Sequence, residues 1–142
     1  MPAYDWRWWK AQCITESLLD PLAVSHAGAM GLCQIMPGTW REQAGAMGIN
    51  ASPFNPRANS LVGAAYMRRM LRVWKADRSE ADRLRWAQGS YNAGPGRVLE
   101  AQRRAGGETV WAIVSRYVPR ETRDYVTRIE RWYLRIAAET VQ

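Results

Sequence analysis

The sequence predicts a single all-α domain over residues 1–142, with little or no β-structure. Three observations carry this expectation. Apolar residues recur at three- and four-residue intervals, the period of a helix with one buried face. No segment alternates apolar with polar residues as a half-buried strand would. Gly and Pro punctuate the periodic segments, as turn-formers do between helices. The length is that of one ordinary domain, large enough to bury a core without staples. With 47% hydrophobic residues, disorder is not expected.

The elements follow in order. Asp5 can cap a first helix running to about Leu19, where Pro21 stops it. Trp6, Trp9, Cys13 and Glu16 share one stripe of that helix, which puts Glu16 on or at the edge of its buried face. Gly28, Gly31 and Pro37-Gly38 break up the next stretch, leaving room for one or two helical turns over Leu32–Met36. Thr39 and Glu42 have capping-box spacing and open a short helix. Asn55-Pro56 pairs a cap with a first-turn proline, and Gly63, Tyr66, Met67, Met70 and Trp74 then mark one face of a long helix. Ser79 can cap the next, striped by Leu84, Ala87 and Tyr91 and broken at Asn92-Ala93-Gly94-Pro95-Gly96. Val98, Ala101 and Ala105 mark a short helix ended by Gly106-Gly107. Thr109 starts another that ends before Pro119. The last helix carries Tyr125, Ile129, Trp132 and Ile136. No repeat, low-complexity tract or linker divides the chain.

Charge and composition narrow the function classes. Lys+Arg number 20 against 13 Asp+Glu, for net +7, so polyanions will attract the chain. The arginines are scattered among glutamates with no basic run, which argues against a dedicated nucleic-acid reader. A solubilising surface explains the charge as well as an anionic envelope does. Eight Trp and six Tyr stand against one Phe, a hint of a sugar-stacking cleft, although large cores use these rings too. Cys13 and Cys33 form no metal motif. Their expected role is as small buried apolar residues, and one disulfide between them is the alternative, with nothing in the sequence to favour it. His26, the single histidine, has no partners for a metal site. No apolar stretch is long enough for a membrane span, and the first ten residues show no signal core. Arg128, Arg131 and Arg135 beside Trp132 and Tyr133 admit a membrane-surface helix. The narrow stripe and accompanying glutamates favour a terminal helix docked on the core.

Glu16 is unusual in its place. It sits on an apolar stripe in the last turn of its helix. Burial disfavours the carboxylate, and so does the partial negative charge of a helix C-terminus. Both raise the pKa, the condition for an acid that protonates a leaving oxygen.

The residues around Glu16 sharpen this reading. Glu16-Ser17 is followed by Pro21, Ala23, Ser25 and then Gly28-Ala29-Met30-Gly31-Leu32-Cys33-Gln34-Ile35-Met36-Pro37. This strongly resembles the catalytic motif of the soluble lytic transglycosylase family. Asn55-Pro56 through Gly63-Ala64-Ala65-Tyr66-Met67 looks like the second family motif. Ser90-Tyr91-Asn92-Ala93-Gly94 looks like the third, and Pro119-Arg120-Glu121-Thr122-Arg123-Asp124-Tyr125-Val126 like the fourth. The order is kept over about residues 13–130.

The resemblance implies a lysozyme-like helical domain with a glycan-binding cleft, acting on peptidoglycan strands without metal or cofactor. It implies Glu16 as the acid and then the base. Ser25 would contact the N-acetyl group or orient the glutamate. Gly31 would admit the glycan to the backbone, Gln34 would hydrogen-bond it, and Met36 would line the cleft. Tyr91 and Asn92 would support the sugar beside the scissile bond, with Tyr91 as a partner for Glu16. Glu121 would bind or orient substrate from the opposite side. His26 stands where the family often has proline, and Ser90 where it often has alanine. The product expected is a 1,6-anhydromuramic end, because no second carboxylate is evident between Pro21 and Arg41. A muramidase hydrolase and a non-catalytic wall-binding module are the competing readings; a nucleic-acid-binding domain is the third, on charge alone. A bare, basic, signal-less domain is further expected to be a monomeric phage endolysin, made in the cytoplasm and released to the wall through a holin pore. A bacterial or tail-associated domain is the alternative setting.

Overall fold

The computed structural model describes residues 5–75 and 77–141. Its elements are helical: α1 (Trp6–Ser17), α2 (Pro37–Ala46), α3 (Pro56–Val73), α4 (Glu80–Ala93), α5 (Pro95–Arg104), α6 (Trp111–Val114) and α7 (Arg120–Thr140). Among the described residues, β-geometry is limited to two isolated antiparallel bridges, Val24 with Met30 and Met30 with Ile35. The chain divides into two compact units, one holding Trp6–Tyr66 and the residues from Trp132 onward, the other Met67–Arg131.

In the first unit, α1 ends two residues earlier than its apolar stripe suggests. Leu18 and Leu19 both take left-handed backbone, at φ 54° and 62°, and leave the helix. Each such residue costs roughly 1–2 kcal/mol without a glycine. The turn is completed by the Asp20 carboxylate, which accepts from the Leu22 amide at 2.9 Å. The buried part of α1 is Ala11–Ile14. Trp6, placed by periodicity on the buried stripe, is instead 59% exposed at the start of the helix, with the Lys10 ammonium 5.8 Å from its ring centroid.

The segment Leu32–Met36 is not a helical turn. Residues 31–34 form a tight turn, and Ile35 pairs back with Met30 in both directions, at 2.9 and 3.0 Å. Gln34 takes left-handed backbone at φ 51°, which an α-turn does not permit. α2 then starts at Pro37, two residues before the expected Thr39 cap. Its N-cap is Met36, with no side-chain capping bond, and proline fills the first turn. Ile35, Ala44 and Val62 form the local core, with Trp40 and Ile49 packed against it. Tyr133 stacks flat on Trp8, ring centroids 3.8 Å apart. Ile136 is buried too, so the end of α7 docks its apolar side.

The second unit is built around tryptophan. Trp86 is fully buried, lies 4.8 Å from Trp74 and 6.1 Å from Trp111, and donates to the Thr109 carbonyl at 3.0 Å. The Arg78 guanidinium covers Trp86 at 4.0 Å from the ring centroid. Burial lowers the Arg78 pKa, and Asp77 and Asp82 oppose that shift. These three tryptophans therefore serve a core, not a sugar platform. Ser79 caps α4 as expected, accepting from the Asp82 amide. α6 is a single short helix, less than the segment from Thr109 to Pro119 allowed.

Candidate active site

The candidate residues fall in two groups, one in each unit. In the first unit Glu16 is half-buried in the last turn of α1, directly followed by a loop that several interactions hold in place. The Ser17 hydroxyl donates to the Leu32 carbonyl at 2.6 Å and accepts from the Asp20 amide at 3.1 Å. Cys13, one turn before Glu16, forms a disulfide with Cys33, their Cα atoms 4.6 Å apart. The cysteines are thus buried and also bonded, against the simpler expectation of free apolar residues. Their pairing ties the glutamate's helix to the tip of its own loop.

Asn59 on α3 completes the brace. Fully buried, it accepts from the Cys33 amide at 2.8 Å. Its own amide donates to the Met30 and Pro53 carbonyls at 2.9 and 2.8 Å. Sequence reading missed Asn59 as a positioning residue. The available signal was an asparagine inside a helix, where it is a poor former and usually has another task. Gly31, at φ 76°, sits against it: a Cβ there would come within 2.5 Å of the Asn59 amide and 2.8 Å of the Pro53 carbonyl. Glycine is required at this position by the brace itself.

Gln34 is half-buried and its Nε2 donates to the Ala23 and Gly31 carbonyls, at 3.2 and 3.0 Å. Two acceptors on that side fix the amide's orientation and leave Oε1 as the acceptor for a ligand N–H or O–H. The Ser25 hydroxyl accepts from the Ala29 amide at 2.9 Å, closing the turn over His26 and Gly28, and keeps its proton to donate. His26 is exposed in that turn. Met36 is 43% exposed. Asp20, the nearest acid in sequence, is exposed and engaged by its own turn.

In the second unit Tyr91 and Asn92 lie half-buried in the last turn of α4. The Asn92 Oδ1 accepts from the buried Thr122 hydroxyl at 2.9 Å, joining the third motif to the fourth. That bond orients the Asn92 amide so that its Nδ2 is the donor left over. Ser90, the departure from alanine, is fully buried and accepts from the Trp74 indole at 2.7 Å. Glu121 is exposed in the first turn of α7. It lines a cavity of about 590 Å³ along that helix. Among the described residues no cluster of metal-ligating side chains is present.

The family model described as Transglycosylase SLT domain matches residues 2–114. The chain belongs to this family. Among curated SLT relatives, the membrane-bound lytic murein transglycosylase F of Idiomarina loihiensis is 34% identical over 81% of this chain and 25% of its own length. The protein of the same name from Aliivibrio fischeri is 28% identical over 92% of this chain and 30% of its own length. The chain therefore spans about a quarter to a third of the length of these curated relatives. Among solved structures, an inactive mutant of the lytic transglycosylase Slt from Pseudomonas aeruginosa superposes with TM-score 0.79 at 27% identity, covering 94% of this chain and 22% of that one. The 70 kDa soluble lytic transglycosylase of Escherichia coli gives 0.74 at 28% identity, with 89% and 21% covered. The all-α, lysozyme-like fold of the SLT domain is thereby established for this chain.

Proposed function

We infer that this SLT domain is a peptidoglycan lytic transglycosylase with Glu16 as its one general acid and base. The observation that carries the reading is the braced loop: Ser17, the Cys13–Cys33 disulfide and Asn59 all fix the segment beside Glu16. A fixed loop beside a half-buried carboxylic acid supplies preorganised geometry, which is what proton transfer to a glycosidic oxygen requires. The relatives named lytic murein transglycosylase agree with it.

In the proposed reaction Glu16 gives its proton to the leaving oxygen as the bond between muramic C1 and that oxygen breaks. The substrate's own N-acetyl oxygen supports the positive charge at C1. The muramic 6-hydroxyl then attacks C1, and its proton passes to Glu16. One C–O bond is lost and one formed, no water is consumed, and the acid is restored. Gln34 Oε1, the Ser25 hydroxyl and Asn92 Nδ2 are the groups proposed to hold the sugars. Tyr91 is proposed to support the sugar beside the scissile bond, Met36 and the Gly31 backbone to line the cleft, and Glu121 to orient substrate. Ordinary hydrolysis would need a second carboxylate to activate water. Residues 21–41 contain none, and Asp20 is taken up by its turn.

The disulfide suits an oxidising compartment, which fits action on the periplasmic side of the wall. Use by a phage in host lysis is the finer form of this proposal; co-expression with a holin should then be needed for lysis, and lysis without one would contradict it. The product chemistry is tested by mass spectrometry of digested sacculi. Fragments ending in anhydromuramic acid are expected; fragments carrying an added water throughout would replace the lyase reading with a hydrolase.

A further inference from the structure

The Cys13–Cys33 bond lies at the junction of two groups assigned to the reaction. Cys13 stands one turn before Glu16 on α1, and Cys33 directly precedes Gln34 in the loop turn. Both cysteines are buried. Cys13 belongs to the buried stretch Ala11–Ile14. Cys33 is hemmed in from α3. Its amide is held by Asn59 at 2.8 Å, and a Cβ built on Gly63 would stand 3.2 Å from the Cys33 Cβ. The backbone of α3 therefore leaves Cys33 no room to retreat. Opening the bond puts two unbonded thiols into a closed space that fitted one bonded pair. Close-packed interiors do not absorb such a change without movement. With α3 holding one side, the movement falls on the loop turn and the last turn of α1, where Gln34 and Glu16 sit.

We propose that Cys13 and Cys33 are a thiol–disulfide exchange site that gates the reaction: the dithiol form is folded and slow, the bonded form fast. The proposal rests on the transglycosylase reading and adds a control to it. The co-reactant is a small-molecule disulfide. One cysteine thiolate attacks a sulfur of that reagent and displaces one thiol, which leaves a mixed disulfide on the protein. The second cysteine thiolate attacks the protein sulfur of the mixed disulfide and displaces the other thiol. The two cysteines give up two protons and two electrons, and the reagent leaves as two thiols. Because both cysteines are buried, exchange needs the loop turn to open. Once the bond has formed and the turn has closed, burial keeps thiol reductants from it. Cytosol keeps thiols reduced, whereas compartments outside it favour disulfides. A wall-cleaving domain with this site is held slow beside the ribosome and made fast beside the wall.

The test compares reduced and oxidised wild type on purified sacculi, well below the melting temperature of either form. Thiol titration confirms the two states, and far-ultraviolet circular dichroism confirms that both are folded. Reduction should lower kcat at least about tenfold, short of the hundredfold that a misplacement of about 1 Å can cost. KM for sacculi should hold. Oxidised glutathione should restore the rate in step with the loss of titratable thiols. Cys13→Ala/Cys33→Ala should show one rate in reducing and oxidising buffer alike. Equal rates for the two wild-type forms would overturn the proposal. A loss of activity that follows a loss of helix signal would overturn it too, since the bond would then merely hold the fold. So would a redox response that persists in the double variant. The wild-type comparison decides the matter even where the variant does not fold. Oxidised wild type that cleaves sacculi keeps the transglycosylase reading whichever way the gate is decided. Oxidised wild type that leaves sacculi intact sinks both.

Discussion

Asn59 shows how one buried amide can decide the geometry of a site it does not belong to chemically. Its three hydrogen bonds reach the Cys33 amide and the Met30 and Pro53 carbonyls, tying three points of the loop to one fully buried side chain. Each buried group left unpaired costs about 1–3 kcal/mol. Asn59→Asp keeps the size and the acceptor for Cys33 but removes both donors and points a carboxylate at two carbonyls. It should lower stability by about 3 kcal/mol or more, measured by urea unfolding, and slow wall cleavage at temperatures where the protein is still folded. A neutral result would mean that Asn59 merely fills space. The same logic explains why Ser17 follows Glu16: its hydroxyl bridges the end of α1 to Leu32. Neither role was visible from the sequence, because Leu32, Cys33 and Met30 lie 15 to 29 residues from the side chains that bind them. What was visible was local chemistry, such as Ser79 capping α4 and Asn55 accepting from the Ala58 amide at 3.0 Å to open α3.

At the scale of the element, helix starts and stripes were largely legible and their exact ends were not. The stripes of α3, α4 and α7 are buried as their spacing predicted, except that Tyr66, Tyr91 and Trp132 are only half-covered. Periodicity failed where one residue was too few to outvote tertiary pairing. Leu32–Met36 has helical composition, but Ile35 pairs with Met30 in both directions and Gln34 takes left-handed backbone, so no helical turn forms. Packing between elements also reverses a general rule at Gly89 in α4. Replacing a mid-helix glycine by alanine ordinarily gains about 1 kcal/mol. Here the new Cβ would lie 2.6 Å from the Trp111 ring, inside the tryptophan core. Overpacking costs about 1–3 kcal/mol, so the clash should win. Gly89→Ala is expected to lower the melting temperature; a rise would show that Trp111 can move aside freely.

For the molecule as a whole, the disulfide is the feature that most changes what the composition suggested. It closes a 20-residue separation, and a cross-link of that span stabilises by about 3 kcal/mol through the unfolded chain. Cys13→Ala/Cys33→Ala, or reduction of the wild type, should lower the melting temperature by roughly 10 °C and weaken wall cleavage as the loop beside Glu16 loosens. An unchanged melting temperature would show that Asn59 and Ser17 suffice alone. The pairing was not legible because two cysteines announce a bond only once the loop has brought Cys33 back to α1. The family, by contrast, was legible from four ordered motifs, since these record the groups the chemistry needs and the turns that present them. The eight tryptophans misled in part, because Trp74, Trp86 and Trp111 are consumed by the core. The strongest claim remains that a single carboxylic acid performs both proton transfers. Replacing Glu16 by glutamine keeps its shape and removes its proton, so a side-by-side turbidity assay of purified sacculi addresses it directly. Glu16→Gln should bind the wall like wild type yet fall in lytic rate by at least about a hundredfold, the range of general acid–base catalysis. Lysis at the wild-type rate would contradict the account.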